Sequence, residues 1–210
     1  MKQSYRLCML ILLSLVVAGC ATTKGSISGG KYQSPLNNFT VALPNWTNLQ
    51  IRDQNDDNSG SVSFHDDLGN LSAITYLRLP ADATTMFKDN EKRYAAYRDY
   101  FNNVAVPTFS SRAAKGMHTV REELLDDGKN KVYFALIDLP EGSALVDSKK
   151  NQRFDAMKGL LIFDRNEFIY MVENEMSSVF GRVDPSTLTA KQLEALQETL
   201  KRLKDSMVFK

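Results

Sequence analysis

The chain has 210 residues, of which 24% are charged, and its 26 Lys and Arg stand against 25 Asp and Glu for a formal net charge of +1. No field of one sign dominates, which argues against nucleic acid or an anionic membrane face as the main partner. The two histidines, His65 and His118, are too few for a zinc site built from several imidazoles.

The chain opens with Lys2 and Arg6, runs without a charge from Leu7 to Val17, and then offers the small pair Ala18-Gly19. This is the pattern of a secretory signal over residues 1–19. An apolar run of about eleven residues falls well short of the roughly 20 that span a bilayer, so it is not expected to remain as an anchor. The string Val17-Ala18-Gly19-Cys20 closes that run and resembles the lipobox of bacterial lipoproteins. The resemblance implies that Cys20 carries a thioether-linked diacylglycerol, that the chain is cut before it, and that its new amino group is acylated. Each buried methylene is worth about 0.8 kcal/mol, and two acyl chains already hold a protein stably. Ala21 stands where an Asp would resemble an inner-membrane retention signal, so the expected location is the outer membrane, facing the periplasm, with the membrane as partner through Cys20.

Loss of Lys2 and Arg6 takes the 26 basic residues to 24 against 25 acidic ones. Cys8 leaves with the signal and Cys20 is lipidated, so no free thiol and no disulfide are expected in the mature chain, and Cys-His catalysis is excluded. The fold must then rest on its own core, and roughly 175 residues suffice to bury about 70% of their unfolded surface. Residues 21–34 are rich in Gly, Ser and Thr and read as a flexible tether with a reach of roughly 20 Å. A single α+β domain is expected over residues 35–210.

Within it, FTVAL at 39–43 and SVSF at 61–64 alternate, and LSAITYLRL at 71–79 places Leu71, Ala73, Leu77 and Leu79 on one face; all three read as half-buried antiparallel strands. Asp82 is placed to cap a helix near 83–104 whose apolar positions are Phe87, Tyr94, Tyr97, Phe101 and Val104, ending before Pro107. Four runs follow, at 118–125, 131–139, 153–163 and 167–173. Asp127-Gly128 and Asp164-Arg165-Asn166 predict tight turns between neighbours, hence an antiparallel meander. In the second and fourth runs both alternating sets are apolar, so those strands are expected to be covered on both faces. A final helix over 189–205 has a capping box in Thr189 and Gln192, a staple in Leu188 and Leu193, and a stripe of Leu193, Leu196, Leu200, Leu203 and Met207.

The chemistry-bearing motifs are sparse. His65-Asp66-Asp67 leads into Gly69-Asn70 and reads as a solvated turn. Asp53, Asn55 and Asp57 begin like a calcium loop, but the sixth position is Asn58 and the twelfth is Phe64, which supplies no carboxylate. An acidic hairpin loop is expected, with no metal and no cofactor. The tyrosines and bases between Arg93 and Tyr100 read as core packing with a charged rim. Residues 140–152 are longer than a hairpin needs. There Ala144, Leu145 and Val146 form an apolar triplet among Glu141, Asp147, Lys149 and Lys150. Leu145 and Val146 are either a contact point for a partner or a patch folded back on the sheet.

Taken together, SPLNNFTVALPNW leading to VSFHDDLGNLSAITYLRLP, then a helix, a meander and a last helix running into SMVF, resembles the PsbP-like family, to which DcrB-like lipoproteins and Mog-type Ran-binding proteins are related. The resemblance covers residues 35–210 and implies an antiparallel sheet sandwiched between helices. It carries no active-site residue. The function expected is a non-enzymatic, membrane-anchored domain that binds or assembles an envelope protein. The alternative is a carrier of a small molecule or lipid with its pocket between sheet and helix.

Overall fold

The computed structural model describes residues 24–81, 87–111, 113, 116–128, 130–177 and 189–210. Cys20, the signal segment, the Asp82 cap and Leu188 lie outside them. Strands β1 (Ser26–Ser28), β2 (Lys31–Gln33), β3 (Phe39–Ala42), β4 (Gln50–Asn55), β5 (Ser59–His65) and β6 (Leu71–Arg78) precede helix α1 (Asn90–Tyr100). This helix continues through a π-helical turn, Phe101–Ala105, into α2 (Val106–Ser110). Then come β7 (His118–Asp127), β8 (Asn130–Leu139), the short pair β9 (Val146–Asp147) and β10 (Gln152–Arg153), β11 (Ala156–Arg165), β12 (Phe168–Ser177), helix α3 (Ala190–Asp205) and β13 (Met207–Phe209).

The main sheet has seven strands in the order β4-β5-β6-β12-β11-β8-β7, and every pairing in it is antiparallel. The expected meander is its second half. The β11–β12 turn is made by Asn166 and Glu167, both with positive φ, which matches the twist of the strands it joins. Alternation in β5 puts Val62 and Phe64 fully inside while Ser61, Ser63 and His65 take the other face. Both faces of β8, β11 and β12 are buried. The strand at 71–79 is half-buried as expected, but its better-buried face is the opposite one: Ser72, Ile74 and Tyr76 are buried, whereas Leu71, Thr75 and Leu77 are only partly covered beside the buried Ala73.

The two faces are covered differently. On one, Tyr133, Ala135, Ile137, Leu160, Ile162, Ile169 and Met171 pack against Tyr97, Tyr100, Phe101, Ala105 and Phe109 of the α1–α2 helix. On the other, Phe134, Leu136, Leu161, Phe163 and Tyr170 meet Leu196 and Leu200 of α3 together with Tyr32, Phe39, Val41 and Met207. The last four belong to a second sheet, β1-β2-β3-β13. A cover made of helices alone on both faces is therefore not the arrangement seen: a four-stranded sheet shares one face with α3.

That sheet also corrects the tether. Ser26–Gln33 is a hairpin turned by Gly29 and Gly30, both at positive φ, with Tyr32 only 2% exposed. The Gly and Ser content that reads as a flexible spacer is here the chemistry of a two-residue hairpin. Asp53 of β4 accepts the Gly25 N–H at 2.6 Å and the Tyr32 hydroxyl at 3.3 Å, which fastens the hairpin to the main sheet.

Both helices depart from expectation at one end. Asp89 caps α1, accepting from the Lys92 N–H at 3.1 Å, and the helix does not stop before Pro107. In the π-helical turn the Val106 N–H bonds the Phe101 carbonyl five residues back. This widens the helix just where Pro107 has no N–H to donate, so the chain stays helical to Ser110. In α3 the capping box of Thr189 and Gln192 is present as expected, while Met207 leaves the stripe to begin β13.

Helix α3 lies close against the sheet at Gly159, where an added Cβ would lie 2.7 Å from Leu196 Cδ2 and 2.9 Å from Leu200 Cδ1. Gly159→Val should destabilise the fold by about 1–3 kcal/mol through overpacking, measured by urea denaturation. An unchanged midpoint would show that α3 is free to lift away.

Candidate functional site

Lateral pairing sets out the helix-facing side of the main sheet row by row. One row runs Arg52, Ser63, Ala73, Glu173, Leu160, Ala135, and the next runs Ser61, Thr75, Met171, Ile162, Tyr133. The rows are apolar on β11 and β8, where the helix sits, carry Glu173 and Met171 on β12, and turn to the small side chains Ala73, Thr75, Ser61 and Ser63 on β6 and β5 before ending at Arg52 on β4. Helix α1–α2 covers the apolar part alone. Its flank therefore overhangs a floor of Ser61, Ser63, Ala73 and Thr75, and the gap is a cavity of about 520 Å³, within the size range of small-molecule sites. Tyr100, Val104, Ala105, Thr108 and Phe109 form the helical wall, so the π-helical turn faces the cavity. Irregular turns of this kind recur at functional sites. A second depression of about 430 Å³ shares Ser61, Thr75, Tyr100 and Val104 with the first and extends it toward the β4–β5 turn.

Three buried charges lie at the inner end. Lys158 on β11, its side chain 3% exposed, has its Nζ 3.2 Å from Glu173 Oε2 and 3.3 Å from Glu175 Oε2. It also stands 4.7 Å from the centre of the Phe109 ring, a cation–π distance. Glu175, at 2% exposure, accepts the Ser143 hydroxyl at 2.6 Å and the Ala144 N–H at 2.9 Å on its other oxygen. Glu173 lines the cavity. Burial, and then the Glu173 charge, push the Tyr100 hydroxyl up to about 12, so it stays a neutral donor near pH 7.

At the outer end Arg52 is exposed on β4 and lines the cavity with His65. Burial, and then the Arg52 guanidinium, hold the imidazole below its usual range against the opposing pull of Asp66 and Asp67. His65 is thus largely neutral at pH 7, with Nε2 3.1 Å from Gln50 Oε1. The turn after it is not simply solvated. Asp66 is buried and accepts the N–H groups of Leu68 at 3.0 Å and Asn70 at 2.9 Å, so its carboxylate shapes the turn. At the β4–β5 turn Asp56 likewise accepts the N–H groups of Asn58 and Ser59. Among the described residues no group of His, Cys, Asp and Glu is arranged to hold a metal. His118, the other imidazole, is 3.5 Å from Asp138 at the far side of the sheet.

The loop at 140–152 is pinned rather than free. Ser143 is buried, its N–H bonds the Phe154 carbonyl, and Arg153 donates to the Ser143 carbonyl at 2.7 Å. The apolar triplet is split as a result: Leu145 is half-buried and lines the cavity with Ala144, whereas Val146 is 49% exposed and pairs with Arg153 in the β9–β10 hairpin. Cys20 lies outside the described residues. Arg52, Ser143, Lys158, Glu173 and Glu175 were not singled out by sequence reasoning, although a Lys inside DAMKGLLIF and a Glu pair two residues apart in MVENEM were signals of buried charge.

No family model matches the chain, and no curated protein matches it in sequence. Among solved structures, one from Bacteroides thetaiotaomicron aligns at 11% identity over 88% of this chain with a TM-score of 0.45. This chain spans 49% of that molecule's length. The Ran-binding protein Mog1p of Saccharomyces cerevisiae aligns at 10% identity over 88% of this chain and 96% of its own, with a TM-score of 0.45. A STAR-related lipid transfer protein from Xanthomonas axonopodis aligns at 10% identity over 76% of this chain and 94% of its own, with a TM-score of 0.25. At these scores the likenesses carry no functional inference.

Removing the ammonium tests the buried cluster. Lys158→Met should cost about 3–5 kcal/mol in urea unfolding at pH 7, because Glu173 and Glu175 are left buried without a counter-charge. A midpoint unchanged from wild type would show that the buried pairing contributes nothing to stability.

Proposed function

We propose that this chain is a lipoprotein of the bacterial outer membrane, anchored at Cys20 and facing the periplasm, whose PsbP-like domain holds a small molecule in the groove between sheet and helix. The observation that carries the binding role is the floor of Ser61, Ser63, Ala73 and Thr75 under the overhanging helix. A helix–sheet contact built only for stability would fill that space with larger side chains. Binding suits the groove better than catalysis, because its buried charges, Lys158 and Glu173, are tied to each other at 3.2 Å. The lipobox and its place after a charged start and an apolar run support the anchor.

A protein-binding role, with an envelope protein as partner, is the second reading. Val146 at 49% and Leu68 at 60% exposure favour it. Val146 follows Leu145 and Leu68 lies two residues before Asn70, and both Leu145 and Asn70 line the cavity, so a partner held there would also cover the groove mouth.

Two measurements test the proposal. Cys20→Ser should move the protein from the membrane fraction to a soluble or uncleaved form; normal cleavage with unchanged membrane retention would sink the anchor. Wild-type protein extracted from its native membrane should release a small molecule on denaturation, detected by mass spectrometry, and Val104→Trp, which fills the groove, should release none. A folded Val104→Trp variant that carries the same molecule would place the ligand elsewhere.

A further inference from the structure

The charges around the cavity are not equivalent. Lys158 is already committed to Glu173 and Glu175 at 3.2 and 3.3 Å. Arg52 lines the same cavity and makes no ion pair among the described residues. Arg52 and Glu173 stand in one row of the sheet, three strand spacings apart, roughly 14 Å. The groove therefore has a cationic outer end and an inner end where Glu173 disfavours an anion. Beside Arg52 the floor is hydroxylic: Ser63 is its direct cross-strand neighbour, and Ser61 and Thr75 follow in the next row. Opposite, Val104, Ala105 and Phe109 present an apolar wall. A guanidinium with adjacent hydroxyls matches the planar or tetrahedral oxygens of a carboxylate or phosphate, and an apolar wall matches a hydrocarbon.

We propose that the ligand of this groove is an amphiphile with one anionic head, held by Arg52 with the hydroxyls of Ser61, Ser63 and Thr75, and an apolar body lying along the Val104–Phe109 flank of the helix. The assignment rests on the binding reading above and deepens it. Glu173 sets the orientation, since an anion seated at the inner end would meet a buried carboxylate that Lys158 must already share with Glu175. A cationic amphiphile would meet Arg52 at the entrance and is disfavoured.

The test is titration calorimetry on the lipidated full chain in nanodiscs of zwitterionic phospholipid, with empty discs subtracted. Four short-chain probes are compared: octanoate, methyl octyl phosphate, octanol and octyltrimethylammonium. Both anions should bind about ten- to a hundredfold more tightly than octanol, the range expected of a charge-assisted hydrogen bond, and the cation should bind least. The stronger of the two anions then identifies a fatty-acid-like or a phospholipid-like source. Arg52→Gln should remove the anion advantage and leave octanol binding unchanged, Arg52→Lys should restore part of it, and Val104→Trp should abolish binding of every probe. An Arg52→Gln variant that keeps the anion preference, or a wild type that prefers the cation or binds octanol as tightly as octanoate, overturns the anionic-head assignment while leaving the groove a binding site. Failure of all four probes to bind wild type, or undiminished binding to a folded Val104→Trp variant, overturns the groove itself.

Discussion

Strands β8, β11 and β12 carry apolar side chains on both faces, and that one fact dictates the rest of the architecture. A strand buried on both sides needs two covers, and this chain supplies two of different kinds. Tyr133, Ile137, Leu160 and Met171 are sealed by a single long helix, whereas Phe134, Leu161, Phe163 and Tyr170 are sealed by α3 and a second sheet together. The groove follows from the first cover. A helix is about 10 Å across and cannot shield a seven-stranded sheet, so it settles over β8, β11 and β12 and leaves β4 to β6, with Ser61, Ser63, Ala73 and Thr75, beneath its edge.

Lys158, Glu173 and Glu175 mark the border between these two regimes. They occupy positions on β11 and β12 where the face is still under the helix but its apolar pattern is ending. Mutual pairing, Phe109, Ser143 and the Ala144 N–H compensate much of the desolvation such charges incur. The same cluster anchors the 140–152 excursion, because Ser143 and Ala144 reach Glu175 directly. The inner end of the cavity and the course of that loop are in this sense one construction.

Much of the local structure could be read in the residues. The alternation of β3 and β5, the capping box at Thr189 and Gln192, and the meander turned at Asn166 all rest on interactions within a few residues of each other. What escaped depended on distant ones. Gly29-Gly30 is a hairpin turn only because β2 finds β3 and Tyr32 finds the core; composition alone equally describes a loose spacer. Pro107 ends most helices, and only the π-helical turn before it lets this one continue. Ser61 and Ser63 read correctly as the polar face of a strand, but no local pattern says that a helix will hang over them. Lys158 and the glutamates came closest to being legible, as charges in runs otherwise suited to burial.

The hairpin at the start of the domain has a further consequence. Gly25 is bonded to Asp53, the neighbour of Arg52 on β4, so the first hairpin is fastened beside the outer end of the groove. If Cys20 is acylated as proposed, four residues lie between the lipid and that point, and the five Cα steps reach about 17 Å at full stretch. On the proposed anchor the domain would stay within a thin shell of water above its own leaflet. It would then meet what leaves that surface at short range, and hand on the proposed ligand only to a receiver that comes to it.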